Sequence, residues 1–266
     1  MTFKTMRPRI QKDLAEQAAH HLILHHSNEA AGNIWQQHLC GNSHFCRAVV
    51  ANGFLTATQM NRAAYRYRLG MARDGGVIFW QIDSCEQVYD GKIMYYQDNC
   101  HRNHDHAPTW VSSELKRFYL GDDYPPTALP NTHHCLFGTH LISEELTVKG
   151  ETLVPAVAVV EAEKTAIILS EHYPNYLWLA PGGLEALRPE SLFPLRHHSI
   201  TLFPDTDETG ATYAKWCSIA QAASHLLGQP VHVSDFLETH ASAEQKRRKI
   251  DLVDYLFEDN AVKPIE

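Results

Sequence analysis

Hydrophobic and polar positions change their rhythm twice along this chain. In "QKDLAEQAAHHLILHH" (11–26) apolar side chains recur at helical spacing, and residues 1–50 predict mainly helix. "GGVIFWQID" (75–83) and "GKIMYYQD" (91–98) are rich in β-branched and aromatic residues. Polar turn residues separate them, which predicts a hairpin. Residues 99–134, crowded with His, Asp, Asn and Pro, predict loop or irregular structure. Apolar character returns at "HCLFGTHLI" (134–142).

From about residue 153 short apolar runs alternate with helical stretches. "VPAVAVV" (154–160), "NYLWLAP" (175–181), "SITLFP" (199–204) and "PVHVS" (230–234) predict four strands, the first of them a buried parallel one. "EKTAIILSEHY" (163–173) has helical character, and "DETGATYAKWCSIAQAASHLLG" (207–228) predicts a long amphipathic helix stopped by Gly228. Strands alternating with helices imply βαβ units and a parallel sheet. The expected fold class is α/β: a helical segment over 1–60, an α+β region over 61–150, and a Rossmannoid parallel-sheet domain over 151–266.

The composition changes this picture little. The chain has 266 residues, 44% hydrophobic and 20% charged, which suits a globular protein with a proper core. No apolar run approaches the roughly 20 residues that span a bilayer, and the first residues lack the apolar core of a secretory signal. The expectation is a cytoplasmic protein without a membrane partner. Its six cysteines form no C-x-x-C pair and read as free thiols. A net charge of −8 does not by itself suggest a nucleic-acid binder. The charge is uneven, however: "NRAAYRYRLGMAR" (61–73) carries Arg62, Arg66, Arg68 and Arg73 with two tyrosines between them, and "QKRRK" (245–249) is a second basic run. Each fits either a solvated helix face or a phosphate-binding patch.

Candidate chemistry lies where the predicted strands end, since open parallel sheets bind ligands at their carboxyl edge. Glu161 follows "VAVV", and Asp205 and Asp207 follow "ITLFP". Residues two apart in an extended segment face one side, so both aspartates can address one point, and Glu161 joins them if the two strands are neighbours. Converging carboxylates repel unless a cation sits between them, and oxygen-only ligands suit Mg²⁺ or Mn²⁺. The alternative role is structural: aspartates before a helix cap its free amides and complement its dipole.

These residues give the chain its resemblance. Glu161 in "VVEAEKTAII", Asp205 and Asp207 as a D-x-D, Gly210 after them and the glycine turn "LWLAPGG" (177–183) resemble a Toprim domain, the metal-binding module of bacterial primases, topoisomerases and some nucleases. "KIDLVDYL" (249–256) resembles that family's closing acidic segment, with Asp251 and Asp254 as possible additional acids. Upstream, "GGVIFWQID", "GKIMYY" and "CLFGTHLI" resemble a primase core in the diverged form of phage, plasmid and other mobile-element proteins. Two positions depart from the family's pattern: Ala162 stands where it has glycine and Thr165 where it has aspartate.

The resemblance implies a primase-like nucleotidyltransferase that makes primers on single-stranded DNA. Glu161, Asp205 and Asp207 would be catalytic and would bind Mg²⁺ or Mn²⁺. Arg66, Arg68, Lys92 and Lys164 would contact nucleotide or nucleic acid. Implied partners are single-stranded DNA, nucleoside triphosphates, and a helicase or other replication protein. A Toprim-type nuclease uses the same acids, and a non-catalytic nucleic-acid- or partner-binding protein could keep the fold alone.

Zinc is a further possibility, because "CHRNHDH" (100–106) offers Cys100, His101, His104 and His106, and "HLCGNSHFC" (38–46) offers Cys40, His44 and Cys46. Neither stretch alone has the paired spacing of a structural zinc site. The remaining motifs are negative: "VSSEL" (111–115) is no nucleophile elbow and "APGGLEAL" (180–187) no phosphate-binding loop.

Overall fold

The computed structural model describes residues 43–72, 74–85, 88–111, 113, 135–143, 146–148, 151–183 and 186–258. The amino-terminal helix expected before residue 43 lies outside them. Two compact units divide the chain between residues 134 and 135, with Asp83–Cys85 counted in the second unit.

The first unit opens with two helices, each begun by a hydroxyl side chain that satisfies a free amide. In α1 (His44–Ala51) Ser43 Oγ accepts from the Cys46 amide at 3.1 Å. In α2 (Ala57–Arg66) Thr56 and Gln59 exchange side-chain and backbone bonds as a capping box. Four strands follow in the order β1-β2-β3-β4: β1 (Gly70–Met71), β2 (Val77–Ile82), β3 (Val88–Met94) and β4 (Thr109–Trp110), all antiparallel. The hairpin expected from the sequence is the β2–β3 pair.

All six residues of β2 are buried because both of its faces are covered. Ile78, Trp80 and Ile82 pack with Ala72, Ile93 and Val111 on one face. On the other, Phe79 meets Phe45 of α1 edge-on, with ring centroids 5.6 Å apart. Gly91, opposite Trp80 in the register, leaves room for the indole: a Cβ there would come within 2.7 Å of the ring.

In the second unit, β5 (Leu146–Val148) and β6 (Glu151–Leu153) form a separate antiparallel pair. The main sheet runs β10-β9-β7-β8, parallel throughout: β7 (Ala156–Val160), β8 (Tyr176–Leu179), β9 (Ile200–Phe203) and β10 (Val231–Val233). The four predicted strands are all present. The continuous apolar runs of β7, β8 and β9 are buried because helices cover the sheet, whereas β10, on the edge, is only partly buried. α3 (Glu163–His172) connects β7 to β8 and is buried from Glu163 to Ser170. α4 (Ala211–Leu227) connects β9 to β10 between two left-handed glycines, Gly210 (φ 71°) and Gly228 (φ 67°). Three short helices close the described chain: α5 (Phe236–His240), α6 (Ala243–Arg248) and α7 (Leu252–Phe257). The fold is therefore mixed α/β with a parallel-sheet region. Among the described residues no helix is long and apolar enough to cross a membrane.

Candidate functional site

β7 and β9 are direct neighbours, and Val160 pairs with Phe203 in their register. Glu161 and Asp205 therefore leave the sheet at adjacent strand ends, on the carboxyl edge where parallel sheets bind ligands. The Gly182 N–H donates to the Glu161 carbonyl at 3.2 Å, so the turn after β8 lies against the same corner. Gly182 makes that turn with φ 83°, a left-handed conformation that suits glycine.

The beginning of α3 is polar and buried. Glu163, Lys164 and Thr165 are 2%, 8% and 0% exposed. Lys164 Nζ lies 3.1 Å from Asp251 Oδ2 and 3.6 Å from Asp254 Oδ1. Thr165 Oγ1 donates to Asp251 Oδ2 at 2.7 Å. Asp251 also caps α7, its Oδ1 accepting from the Asp254 amide at 2.7 Å. Burial disfavours charge on Asp251, but Lys164 and these hydrogen bonds together hold its carboxyl below the usual carboxylate range. The Thr206 amide donates to the Ile250 carbonyl at 3.2 Å and fastens the D-x-D loop to the same segment.

Asp205 and Asp207 have opposite surroundings. Burial raises the Asp205 carboxyl well above its ordinary range, and the charges of Asp251, Glu161 and Asp254 add to the effect against a smaller pull from Lys164. The Asp207 carboxylate is instead fully engaged. Oδ1 accepts from the Thr209 amide (2.8 Å), the Thr209 hydroxyl (2.6 Å) and the Ala211 amide (3.3 Å), while Oδ2 accepts from the Thr212 amide (2.6 Å). Burial works against its charge, yet these bonds hold it far below the usual range. Of the two roles open to the aspartate pair, bracing the start of the helix is what Asp207 does here.

Lys92, Arg66 and Arg68 belong to the first unit. Lys92 is half-buried on β3, opposite Phe79 and Trp110. Arg66 ends α2, and Arg68 follows it in a left-handed conformation with φ 53°. The two His/Cys stretches meet at a cleft of about 450 Å³ in the same unit, where His44 and His106 are among the lining residues. Among the described residues their cysteines Cys46 and Cys100 are buried, at 1% and 2% exposure, and do not line it. Cys40 lies outside the described residues.

Among the described residues no three His, Cys, Asp or Glu side chains are arranged to hold a metal ion. Glu161 and Asp205 bring two hard oxygen donors to adjacent strand ends, the donor type that Mg²⁺ takes; water and phosphate oxygens would have to complete such an ion's shell. Sequence reasoning missed the buried Lys164–Asp251–Thr165 network. No local pattern signals it, because Thr165 and Asp251 are 86 positions apart.

The fold and this corner define a mixed α/β protein with an acidic carboxyl edge on a parallel sheet. The chain belongs to the family described as "Domain of unknown function (DUF6371)", whose model matches residues 43–206. That match includes Glu161, Lys164 and Asp205 and stops one residue before Asp207. Comparison with curated proteins and with solved structures gave no match.

Proposed function

We propose that this protein is a Toprim-like, metal-dependent nucleotidyltransferase that synthesises oligonucleotide primers on single-stranded DNA. The observation that carries the reading is the adjacency of β7 and β9, which puts Glu161 and Asp205 at neighbouring strand ends. Glu161 and Asp205 would hold Mg²⁺ or Mn²⁺. Bound there, the ion would neutralise phosphate charge as a 3′-hydroxyl attacks a nucleoside triphosphate. Asp207 fixes the turn into α4, and Lys164 holds Asp251 and Asp254 so that α7 closes one side of the corner.

A second reading is a non-catalytic nucleic-acid- or partner-binding protein that keeps the fold. It is favoured by the engagement of Asp207 in helix bracing and by the presence of an internal cation, Lys164, among the acids. Incubation with single-stranded DNA, labelled nucleoside triphosphates and Mn²⁺, beside Asp205→Asn and Glu161→Gln variants, separates the two. New oligonucleotides made only by the unmodified protein support the transferase. Template degradation that depends on the same acids replaces it with a Toprim-type nuclease, and no reaction of either kind leaves the non-catalytic reading.

A further inference from the structure

We propose that Glu238 is a positioning residue for the metal corner: through Thr206 it fixes the D-x-D loop so that Asp205 meets the ion held with Glu161. This rests on the reading that Glu161 and Asp205 hold Mg²⁺ or Mn²⁺, and it gives a role to a residue beyond position 206, where the family match ends. Thr206 stands between the two aspartates and is 1% exposed. Its hydroxyl donates to Glu238 Oε1 at 3.0 Å, and its amide donates to the Ile250 carbonyl at 3.2 Å. Two segments that follow the parallel sheet therefore grip the middle residue of the D-x-D.

The three loop residues are anchored in different ways. Asp207 is fixed by its own bonds to the start of α4. The Asp205 side chain makes no hydrogen bond with another described residue, so its carboxyl goes where the loop backbone carries it. The nearest fixed point on that backbone is Thr206. Its clamp is itself braced: Lys246 Nζ, on α6, donates to Glu238 Oε2 at 2.9 Å and to the Glu238 carbonyl at 2.8 Å. These bonds hold α5 to α6 and leave Oε1 for Thr206. The same Oε2 lies 3.8 Å from where a Cβ on Gly210 would stand, so the carboxylate reaches the loop at its glycine as well as its middle residue. Groups behind a metal ligand matter because an ion binds tightly only to oxygens already held in place. A bond that merely joined α5 to the loop would stabilise the fold without setting metal affinity.

The test is the Mn²⁺ affinity of the full chain, without nucleotide or DNA, read from the electron paramagnetic resonance signal of the free ion beside the Tm of each variant. Thr206→Val keeps the shape of the side chain and removes the hydroxyl. It should weaken Mn²⁺ binding about 10- to 100-fold, while Thr206→Ser should bind as the unmodified protein does. Glu238→Ala should weaken binding as much, and adding Thr206→Val to it should cost nothing further, since the two residues act as one contact. A Thr206→Val protein that loses Tm but binds Mn²⁺ normally would overturn the proposal and leave the transferase standing, as would full additivity of the two substitutions. An unmodified protein that binds no Mn²⁺ would overturn both. The expected pattern of affinities without any primer synthesis would sink the transferase alone.

Discussion

Lys164, in the first turn of α3, and Asp251, the residue that caps α7, form a buried ion pair at 3.1 Å. The pair ties the end of the described chain to the first helix of the parallel sheet, and it borders Asp205. Removing the ammonium leaves a buried carboxylate without its counter-charge. Lys164→Met should destabilise the protein by about 3–5 kcal/mol at pH 7, read by chemical denaturation. Because Asp251 is held below its unfolded value, the pair contributes fully above roughly pH 4 and is lost as pH falls through the folded value. The gap between the two proteins should therefore close in acid. A gap that stays constant down to pH 3 would mean that Lys164 acts through packing alone.

Asp205 has the opposite sign. Its carboxyl is raised, so protonation favours the folded state: stability increases as pH falls through the folded value and is lost as pH rises through it. Asp205→Asn should accordingly be more stable than the unmodified protein at pH 7 without metal, by a few degrees in Tm, and equal to it once Asp205 is protonated. Mn²⁺ should stabilise the unmodified protein by about 2.7 kcal/mol at a hundredfold excess over its Kd and leave Asp205→Asn unmoved. A variant that is less stable without metal, or that keeps the Mn²⁺ response, would show Asp205 to be a structural residue.

For Asp207 the expectation is reversed again. Its two oxygens accept four hydrogen bonds around the start of α4, so Asp207→Ala should cost about 1–2 kcal/mol with or without Mn²⁺. The contribution is present above the unfolded carboxyl value and is lost as pH falls through the lowered folded one. Parallel denaturation series with and without Mn²⁺ check this. If the cost appears only in the presence of the ion, Asp207 is a ligand and not a brace.

The contrast between the two aspartates marks how far the sequence was legible. The four parallel strands were readable because continuous apolar runs between helical stretches have few other uses. The D-x-D followed from one of those strand ends. Which aspartate turns toward the helix was not readable, because it depends on a loop that closes through Gly210 at φ 71° and brings the Thr209, Ala211 and Thr212 amides back onto Asp207. Strands β1 and β4, two residues each, are too short to show any period. The resemblance implied that Lys164 contacts nucleotide or nucleic acid; its burial against Asp251 was not readable, because only the fold of α7 over α3 makes it an interior cation. Tyr65 and Tyr67 differ by two positions and not at all in type; burial alone separates them.

The cysteines provide a check on the fold that is independent of any activity. Cys85 is exposed, whereas Cys46 and Cys100 are sealed in the first unit. Cys135 is a different case: burial and the nearby Asp83 carboxylate push its thiol up to about 12. Since the thiolate is the reactive form, Cys135 should be inert at pH 8 even where a reagent reaches it. A short pulse of iodoacetamide on the native protein, read by peptide mass spectrometry, should modify Cys85 and spare Cys46, Cys100 and Cys135. Repeating the pulse in denaturant should label all four. Native labelling of Cys135 at the rate of Cys85 would mean that the segment beside the Phe137–Ala180 bridge opens readily. The pairing that holds this segment to the end of β8 would then be transient.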